Sequence, residues 1–145
     1  MRVVIAGYGP VGRAVAQMFP KGTKLTIIDL NPGTIDRQAE LGAQVVLGDV
    51  SDAAVLKAAK IDAADALIIA IPDEEVAIAA CAAARKLAPD VYIAARANFL
   101  SKGMACRQAG ADYVVVEEVV TAEAMKNAVV NRLLANGNRQ ASHDI

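Results

Sequence analysis

The chain has 145 residues, about the size of one domain, and 55% of them are hydrophobic, which is enough for a buried core. Charged residues make up 21% and the formal net charge is -1, so no global basic field would attract nucleic acid. Aromatic residues are only 3%, which leaves little material for stacking bases. The composition therefore predicts a globular domain with an aliphatic core and no nucleic-acid partner.

The apolar segments are shorter than the roughly 18 consecutive residues that indicate a membrane span. The segment 76–84, VAIAACAAA, has charged neighbours on both sides and is typical of a buried helix. The first residues do not have the pattern of a signal peptide. Cys81 and Cys106 are not spaced like metal ligands or disulfide partners, so we expect two buried apolar residues of a protein in a reducing compartment.

Short runs rich in β-branched residues alternate with longer segments of helical length. The nearly continuous apolar character of the runs is typical of strands that are covered on both faces. The predicted strands are 2–6, 24–29, 43–49, 65–71, 91–95 and 112–117, and the predicted helices are 10–19, 33–42, 52–60, 73–87, 99–109 and 121–135. Six such repeats predict an α/β fold, a Rossmann-like doubly wound six-stranded parallel sheet with helices on both faces.

Several small and polar residues stand where helices should begin or end. Gly42 and Gly110 follow predicted helices, as C-terminal glycines commonly do. Ser51 or Asp52 would cap the third helix, and Asp73 would cap the fourth.

The stretch GYGPVG, residues 7–12, follows the first predicted strand and opens the first helix. In a doubly wound sheet, Gly7 allows the turn off the strand, Gly9 lets the backbone approach a pyrophosphate, and Gly12 lets the helix pack closely. The N–H groups at the start of the helix and the positive end of its dipole then favour a phosphate. The alternative interpretation is a flexible turn.

Two side chains inside this stretch modify the pattern. Pro10 suits the first helical position but has no N–H to donate, so Val11 and Gly12 have to supply the remaining backbone donors. Tyr8 is expected either to be a partly exposed ring with no ligand role or to contact the ligand.

Asp29 ends the second predicted strand, in the segment TIIDLNP. A carboxylate at this place accepts hydrogen bonds from the ribose hydroxyls of adenosine and repels a 2′-phosphate. It therefore favours NAD or a plain adenine nucleotide over NADP, and the alternative is an acidic turn residue. The next residues, Leu30 and Asn31, are included in the candidate site.

Together these segments resemble the TrkA-N domain, which is also called RCK or KTN, for regulator of potassium conductance. The resemblance covers about residues 2 to 118, through VVIAGYGPVGRAVA, IIDLNP and GAQVVLGDVSDAAVLKAAKIDAADALIIAIPDEE. The Kef-type and cation/proton-antiporter versions, which have an aromatic residue between the first two glycines, look closest. We expect a TrkA-N/RCK nucleotide-binding domain over residues 1–136, and the polar composition of the last residues predicts a flexible tail, 137–145.

By motif match, the resemblance also implies further binding positions. Asp49 of GDV would lie beside the adenine, with Val50 next to it in the same site. Ala70 and Ile71 would line the ribose and the base, and Arg96 of ARAN, just past the fifth strand, would approach the phosphates. The alternatives are that Asp49 caps or turns the chain before the third helix and that Arg96 is a solvated surface residue.

The sequence departs from the family pattern after the sixth strand. Many members have a proline–glutamate pair there, whereas this chain has Glu117 in place of the proline and retains Glu118. We expect Glu118 to be a solvated acid rather than a ligand of a cation or a phosphate. The ligand-binding subdomain that often follows this module does not occur in these residues, so we expect no regulation through it.

The resemblance implies a ligand-sensing domain that binds NAD(H), AMP, ADP or ATP and controls a potassium channel or cation transporter. That partner would be a separate subunit or part of a longer chain, which would place the domain in the cytoplasm at the inner face of the membrane. In relatives the last helix lies at the dimer interface, which implies a homodimer or a larger ring.

Two other functions compete with sensing: the nucleotide-binding half of an NAD-dependent oxidoreductase, and an assembly module with a structural nucleotide. The single histidine, His143, lies in the tail, and Tyr92 and Tyr113 begin strands at the edge opposite the glycine loop. No Ser–His–Asp, Cys–His or metal cluster can be assembled from the motifs. We therefore expect no enzymatic activity.

Overall fold

A computed structural model describes residues 1–37 and 42–141. The strands are β1 Arg2–Ala6, β2 Lys24–Asp29, β3 Gln44–Leu47, β4 Ala66–Ile69, β5 Tyr92–Ala97 and β6 Tyr113–Val116. They form one sheet in the order β3-β2-β1-β4-β5-β6, and all neighbours are parallel. This confirms the predicted Rossmann-like doubly wound sheet. The strand order reverses between β1 and β4, and sheets of this kind bind ligands at that point, beyond the carboxyl ends of the strands.

The α-helices of the described residues are α1 Pro10–Met18, α2 Ala53–Ala58, α3 Glu74–Leu87, α4 Leu100–Ala109 and α5 Glu117–Ala141. Short 3₁₀ helices cover Pro32–Arg37 and Ile61–Ala63. Where the sequence predicted a helix over 33–42, the described part is therefore a 3₁₀ helix, and residues 38–41 lie outside the described residues. Among the helices described here, none is both long and apolar enough to cross a membrane.

The core lies on both faces of the sheet, because alternate residues of a strand point in opposite directions. In β1, Val3 packs in one cluster with Ala16 of α1, whereas Val4 packs in another with Ala77 of α3. Full burial of an aliphatic side chain of this kind contributes about 1.5–3 kcal/mol. Tyr8 belongs to the first cluster and is only 7% exposed, so the expectation of a partly exposed ring is wrong.

The predicted caps are present at three helix ends. The Asp52 carboxylate accepts a hydrogen bond from the Ala54 N–H at 2.9 Å, and Asp73 accepts one from the Val76 N–H at 3.1 Å. Gly110 ends α4 with a φ of 126°, a conformation that favours glycine.

Cys81 and Cys106 are free and buried, as predicted. Burial raises the pKa of the Cys81 thiol to about 12, so this thiol stays protonated at neutral pH. Since the thiolate is the reactive form of cysteine, Cys81 is an apolar core residue and not a nucleophile.

Two boundaries near the C-terminus differ from the prediction. β5 extends to Ala97, so Arg96 lies inside the strand and not just past it. α5 begins at Glu117, directly after β6, and runs through Ala141, whereas the sequence predicted a helix over 121–135. The helix therefore includes residues 137–141 of the predicted tail, and the division of the chain at residue 136 stays a prediction.

Arg85 of α3 joins several elements at the sheet edge that lies away from the strand carboxyl ends. Its guanidinium donates to the carbonyl oxygens of Pro89 at 2.7 Å, Val91 at 2.8 Å and Gly110 at 2.8 Å. It also forms an ion pair with the Asp112 carboxylate at 2.7 Å. These contacts fix the ends of α3 and α4 against the starts of β5 and β6.

We expect Asp112→Asn to lower the free energy of unfolding by about 1 kcal/mol at pH 7, because hydrogen bonds to charged groups are stronger than those to neutral ones. The Ile93 N–H at 2.8 Å and the nearby Arg85 lower the pKa of Asp112 from its ordinary value of 3.8. A lowered pKa stabilises the fold above that ordinary value, and the effect is lost as the pH falls through the folded-state pKa. The difference from wild type should therefore shrink below pH 3.8.

Denaturant unfolding measured across this pH range tests the prediction. Asp90→Asn removes an exposed carboxylate in the turn before β5 and is the matched control. A stability difference for Asp112→Asn that does not change with pH would contradict the proposed role of its charge.

Candidate functional site

A cavity of about 460 Å³ opens at the carboxyl ends of the central strands, where the strand order reverses. This volume is typical of a small-molecule site. The cavity is lined by Gly7, Tyr8, Gly9, Pro10, Asp29, Leu30, Asp49, Ala70, Ile71, Pro72, Asp73, Val76 and Arg96. A smaller cavity of about 70 Å³ shares six of these residues and adds Ile28, Gly48 and Val50.

Most of the predicted site residues meet in these two cavities. Val11, Gly12 and Asn31 lie beside the cavities and not in their described lining. Another cavity, of about 440 Å³, lies at the amino-terminal ends of β1 and β2. Its lining, among the described residues, includes none of the predicted site residues.

The three glycines of the loop differ in what surrounds them. Gly7 has a φ of 95°, and a Cβ added there would lie 2.8 Å from the Cγ2 atom of Ile71. A Cβ on Gly12 would lie 1.8 Å from the carbonyl oxygen of Gly7, so the close packing of α1 is against the loop backbone. A Cβ on Gly9 would meet nothing within 4 Å. The fold therefore requires glycine at positions 7 and 12, whereas the space beside Gly9 is open.

The start of α1 presents backbone donors next to this open space. Gly9 is the N-cap and Pro10 is the first helical residue. The Arg13 N–H already bonds to the Gly9 carbonyl oxygen at 2.9 Å. The N–H groups of Val11 and Gly12 precede it, and helix geometry gives them no partner within the helix. Because Pro10 has no N–H, this helix end offers one donor fewer than usual.

Asp29 is held from two sides at the end of β2. Its Oδ2 atom accepts from the Tyr8 N–H at 3.0 Å and from the Thr34 hydroxyl at 3.2 Å, and Oδ1 accepts from the Asn31 N–H at 3.1 Å. A carboxylate has about four acceptor positions. Asp29 is therefore a turn residue, as the alternative interpretation predicted, and it also retains one acceptor position, on Oδ1.

Asp49 also has a local structural role. Its Oδ1 atom accepts from the Ser51 N–H at 2.8 Å and from the Ser51 hydroxyl at 2.6 Å. These hydrogen bonds, the one from the hydroxyl first, lower the pKa of the Asp49 carboxyl, so it is charged at neutral pH. The alternative interpretation, that Asp49 turns the chain before α2, is present in the structure, and the same residue lines both cavities.

Arg96 crosses the far side of the cavity. Its Nη1 donates to the Ala70 carbonyl oxygen at 3.2 Å, and its Nη2 forms an ion pair with Oε1 of Glu117 at 2.7 Å. The side chain is 21% exposed, so Arg96 is not a solvated surface arginine. Its Nε is enclosed and has no hydrogen-bond partner among the described residues.

Glu118 has a different role from its neighbour. Its exposed carboxylate accepts from the Leu100 N–H at 3.1 Å, at the first residue of α4. The N-cap residue of that helix, Phe99, makes no side-chain hydrogen bond. The acid that was expected only to be solvated therefore also caps α4.

Sequence reasoning missed several parts of the site. Pro72, Asp73 and Val76 line the cavity; Pro72 and Asp73 directly follow the predicted site residues Ala70 and Ile71 in the segment AIPD, which contained a usable signal. Thr34 is buried and bonds to Asp29, but no sequence pattern indicated this. In the residues that the structure describes, no group of three or more His, Cys, Asp or Glu is placed to hold a metal ion.

The TrkA-N domain model matches residues 3–117 of this chain. The glutathione-regulated potassium-efflux system protein KefC of Klebsiella pneumoniae is 30% identical over 112 residues. That match covers 77% of this chain and 18% of KefC, so the chain spans about a fifth of the length of this relative.

Several solved structures are similar to this chain in both sequence and fold. The TrkA-N domain of the inner membrane protein ybaL from Escherichia coli is 28% identical with a TM-score of 0.83, over 88% of this chain and 95% of that one. The Kef CTD of Shewanella denitrificans, in its AMP bound form, is 27% identical with a TM-score of 0.79. The match covers 99% of this chain and 93% of the Kef chain. The GsuK channel bound to NAD is 25% identical with a TM-score of 0.70. The match covers 79% of this chain and 21% of the GsuK chain.

The glycine loop, the strand order and the match over residues 3–117 agree with one another. The chain belongs to the TrkA-N domain family, with Kef and YbaL proteins among its relatives, as its motifs predicted.

Proposed function

We propose that this chain binds an adenosine nucleotide, NAD(H) or AMP, ADP or ATP, at the carboxyl ends of β1 and β4 and senses it without consuming it. The open space beside Gly9 is the observation that carries this proposal. A Cβ would clash at positions 7 and 12 but would meet no atom within 4 Å at position 9. A phosphate in contact with the Gly9 backbone would explain the glycine at that position, since any side chain would keep it away.

The arrangement of the other groups supports the same ligand. Phosphates would lie on the glycine loop and the N–H groups of Val11 and Gly12, close to the positive end of the α1 dipole. The ribose would donate to the remaining acceptor position of Asp29, and the adenine would lie near Asp49. Leu30, Asn31, Val50, Ala70 and Ile71 would surround the ribose and the base. The AMP and NAD complexes of the relatives agree with an adenosine ligand.

The carboxylates of the cavity favour binding over catalysis. Asp29, Asp49 and Asp73 each accept hydrogen bonds that build a turn or a cap. An NAD-dependent oxidoreductase is the competing function, and steady turnover of NADH with an added acceptor would support it. An assembly module with a structural nucleotide would bind its ligand without any change in assembly.

We also propose that the ligand controls a potassium channel or cation transporter. KefC, by its name, is a potassium-efflux protein, and this chain matches only a part of it. The domain would work in the cytoplasm at the inner face of the membrane, joined to its transporter or assembled on it. The Arg96–Glu117 ion pair gives a physical route, because it connects the cavity with the first residue of α5.

The exposed face of α5 supports a homodimer or a larger ring. Met125, Val129, Leu133 and Leu134 are more than half exposed; the first three lie four residues apart along the helix, and Leu134 follows Leu133 directly. Apolar residues at this spacing form one stripe, which a second copy of the chain would cover. The nucleotide could then act by changing how tightly two copies of the chain associate.

Exchange of Gly9 for Val should abolish nucleotide binding and leave the fold intact, because a Cβ added at position 9 meets no atom within 4 Å. The loss of a good N-cap residue should cost no more than about 1 kcal/mol. Calorimetric titration with AMP and NAD, together with thermal unfolding, measures both effects.

The matched variant is Gly12→Ala, which should lower stability by about 1–3 kcal/mol or more, since its Cβ would overlap the Gly7 carbonyl oxygen. Nucleotide binding that survives Gly9→Val would place the phosphate elsewhere.

Asp29→Asn should weaken AMP binding by about tenfold or more, because a charge-assisted hydrogen bond to the ribose becomes a neutral one. The same change should raise the affinity for NADP relative to NAD, since the carboxylate that repels a 2′-phosphate is gone.

Thr34→Val is the control, because it removes one internal partner of Asp29 and leaves the charge in place. An AMP affinity of Asp29→Asn within about twofold of wild type would rule out the ribose contact.

Leu133→Asp should convert a homodimer into a monomer. The loss of two buried leucines in a symmetric interface should raise the dissociation constant at least about 100-fold. Sedimentation analysis with and without AMP, NAD or NADH measures the assembly, and a sensor should respond differently to different ligands.

Met18→Asp is the matched control. It places the same charge at an apolar position of α1 that is 82% exposed, and it should leave the assembly unchanged. A wild-type chain that is monomeric with every ligand would refute the dimer.

A further inference from the structure

The nucleotide cavity is rich in negative charge. Asp29, Asp49 and Asp73 are among its lining residues, and Arg96 is the only lysine or arginine among the described residues that line it. The α1 N-terminus adds about half a positive charge. A phosphate group therefore meets few positive groups here, and Arg96 is the strongest of them.

The charge of Arg96 is already balanced by Glu117. The distance from Nη2 of Arg96 to Oε1 of Glu117 is 2.7 Å, and the two side chains are 21% and 40% exposed. A guanidinium can hold a phosphate at two points, through Nη2 together with either Nη1 or Nε. Glu117 contacts Nη2, which takes part in both arrangements, and Nη1 also donates to the Ala70 carbonyl oxygen.

The backbone keeps Glu117 in this position. It is the first residue of α5 and follows β6 directly, and β6 pairs with β5, which carries Arg96. In the register of the sheet, Arg96 lies opposite Val115, two residues before Glu117. A ligand cannot displace this carboxylate without moving the Glu117 side chain or the first turn of α5.

We propose that Glu117 determines which nucleotides the site accepts, by limiting the phosphate charge that Arg96 can compensate. The inference rests on the proposed adenosine-nucleotide site and specifies its ligand class. At pH 7 the phosphates of AMP carry about two negative charges, and each further phosphate adds about one more. The site therefore prefers AMP, or the two singly charged phosphates of NAD, over ADP and ATP.

The experiment compares dissociation constants for AMP, ADP and ATP, measured by calorimetry in EDTA so that no divalent cation screens the phosphates. Wild type should bind AMP at least about tenfold more tightly than ATP. Glu117→Gln should reduce the ATP-to-AMP ratio of dissociation constants by about five- to tenfold, because one negative charge beside the phosphates is gone. Glu117→Ala should act in the same direction.

Glu118→Gln is the matched control. It removes the same charge one residue further along α5, from a carboxylate that contacts the Leu100 N–H and not Arg96. It should leave the ratio unchanged. If Glu117 had a purely structural role, its variants would bind AMP, ADP and ATP more weakly by the same factor, and the ratio of dissociation constants would not change. Thermal unfolding of each variant measures any loss of stability.

Two different failures are distinguishable. If AMP binds but the ATP-to-AMP ratio is the same in wild type and in Glu117→Gln, the role of Glu117 is refuted and the nucleotide site stands. If neither wild type nor the Glu117 variants bind any adenosine nucleotide, the proposed function itself fails, and the inference fails with it.

Discussion

The contact between the start of α1 and the backbone of Gly7 is the constraint on which the site depends. The two segments approach so closely that a single Cβ on Gly12 would lie 1.8 Å from the Gly7 oxygen. This approach directs the first turn of α1 at the carboxyl end of β1, where its N–H groups face the reversal point of the sheet. The Tyr8 N–H then bonds to Asp29, which joins the loop to β2.

The aspartates around the cavity serve the fold and keep acceptor positions for the proposed ligand. Asp29 and Asp49 each use one oxygen or more for a local turn, and Asp73 caps α3. Since these internal hydrogen bonds orient the carboxylates before any ligand arrives, less conformational entropy is lost on binding.

Much of the fold and part of the site were predictable from local patterns. Continuous aliphatic runs between helical segments indicated a parallel sheet, and GYGPVG with Asp29 indicated its ligand edge. That Arg96 lies inside β5 was not predictable, because small alanines surround it and gave no sign that the strand continues through it. Tyr8 resembled an exposed loop residue, yet its ring packs with Val3 and Ala16 once α1 folds back over the sheet.

The sequence by itself determined the α/β class, the family and the places where glycine and aspartate mark the carboxyl ends of strands. These features follow from residue periodicity and backbone freedom, which act over a few neighbours. Only the tertiary structure decided that Glu117 meets Arg96, that Glu118 caps α4, and that Gly9 is the one glycine of the loop where an added Cβ would meet no atom within 4 Å. Such pairings join residues that are far apart in the chain, because the register of neighbouring strands sets their distances.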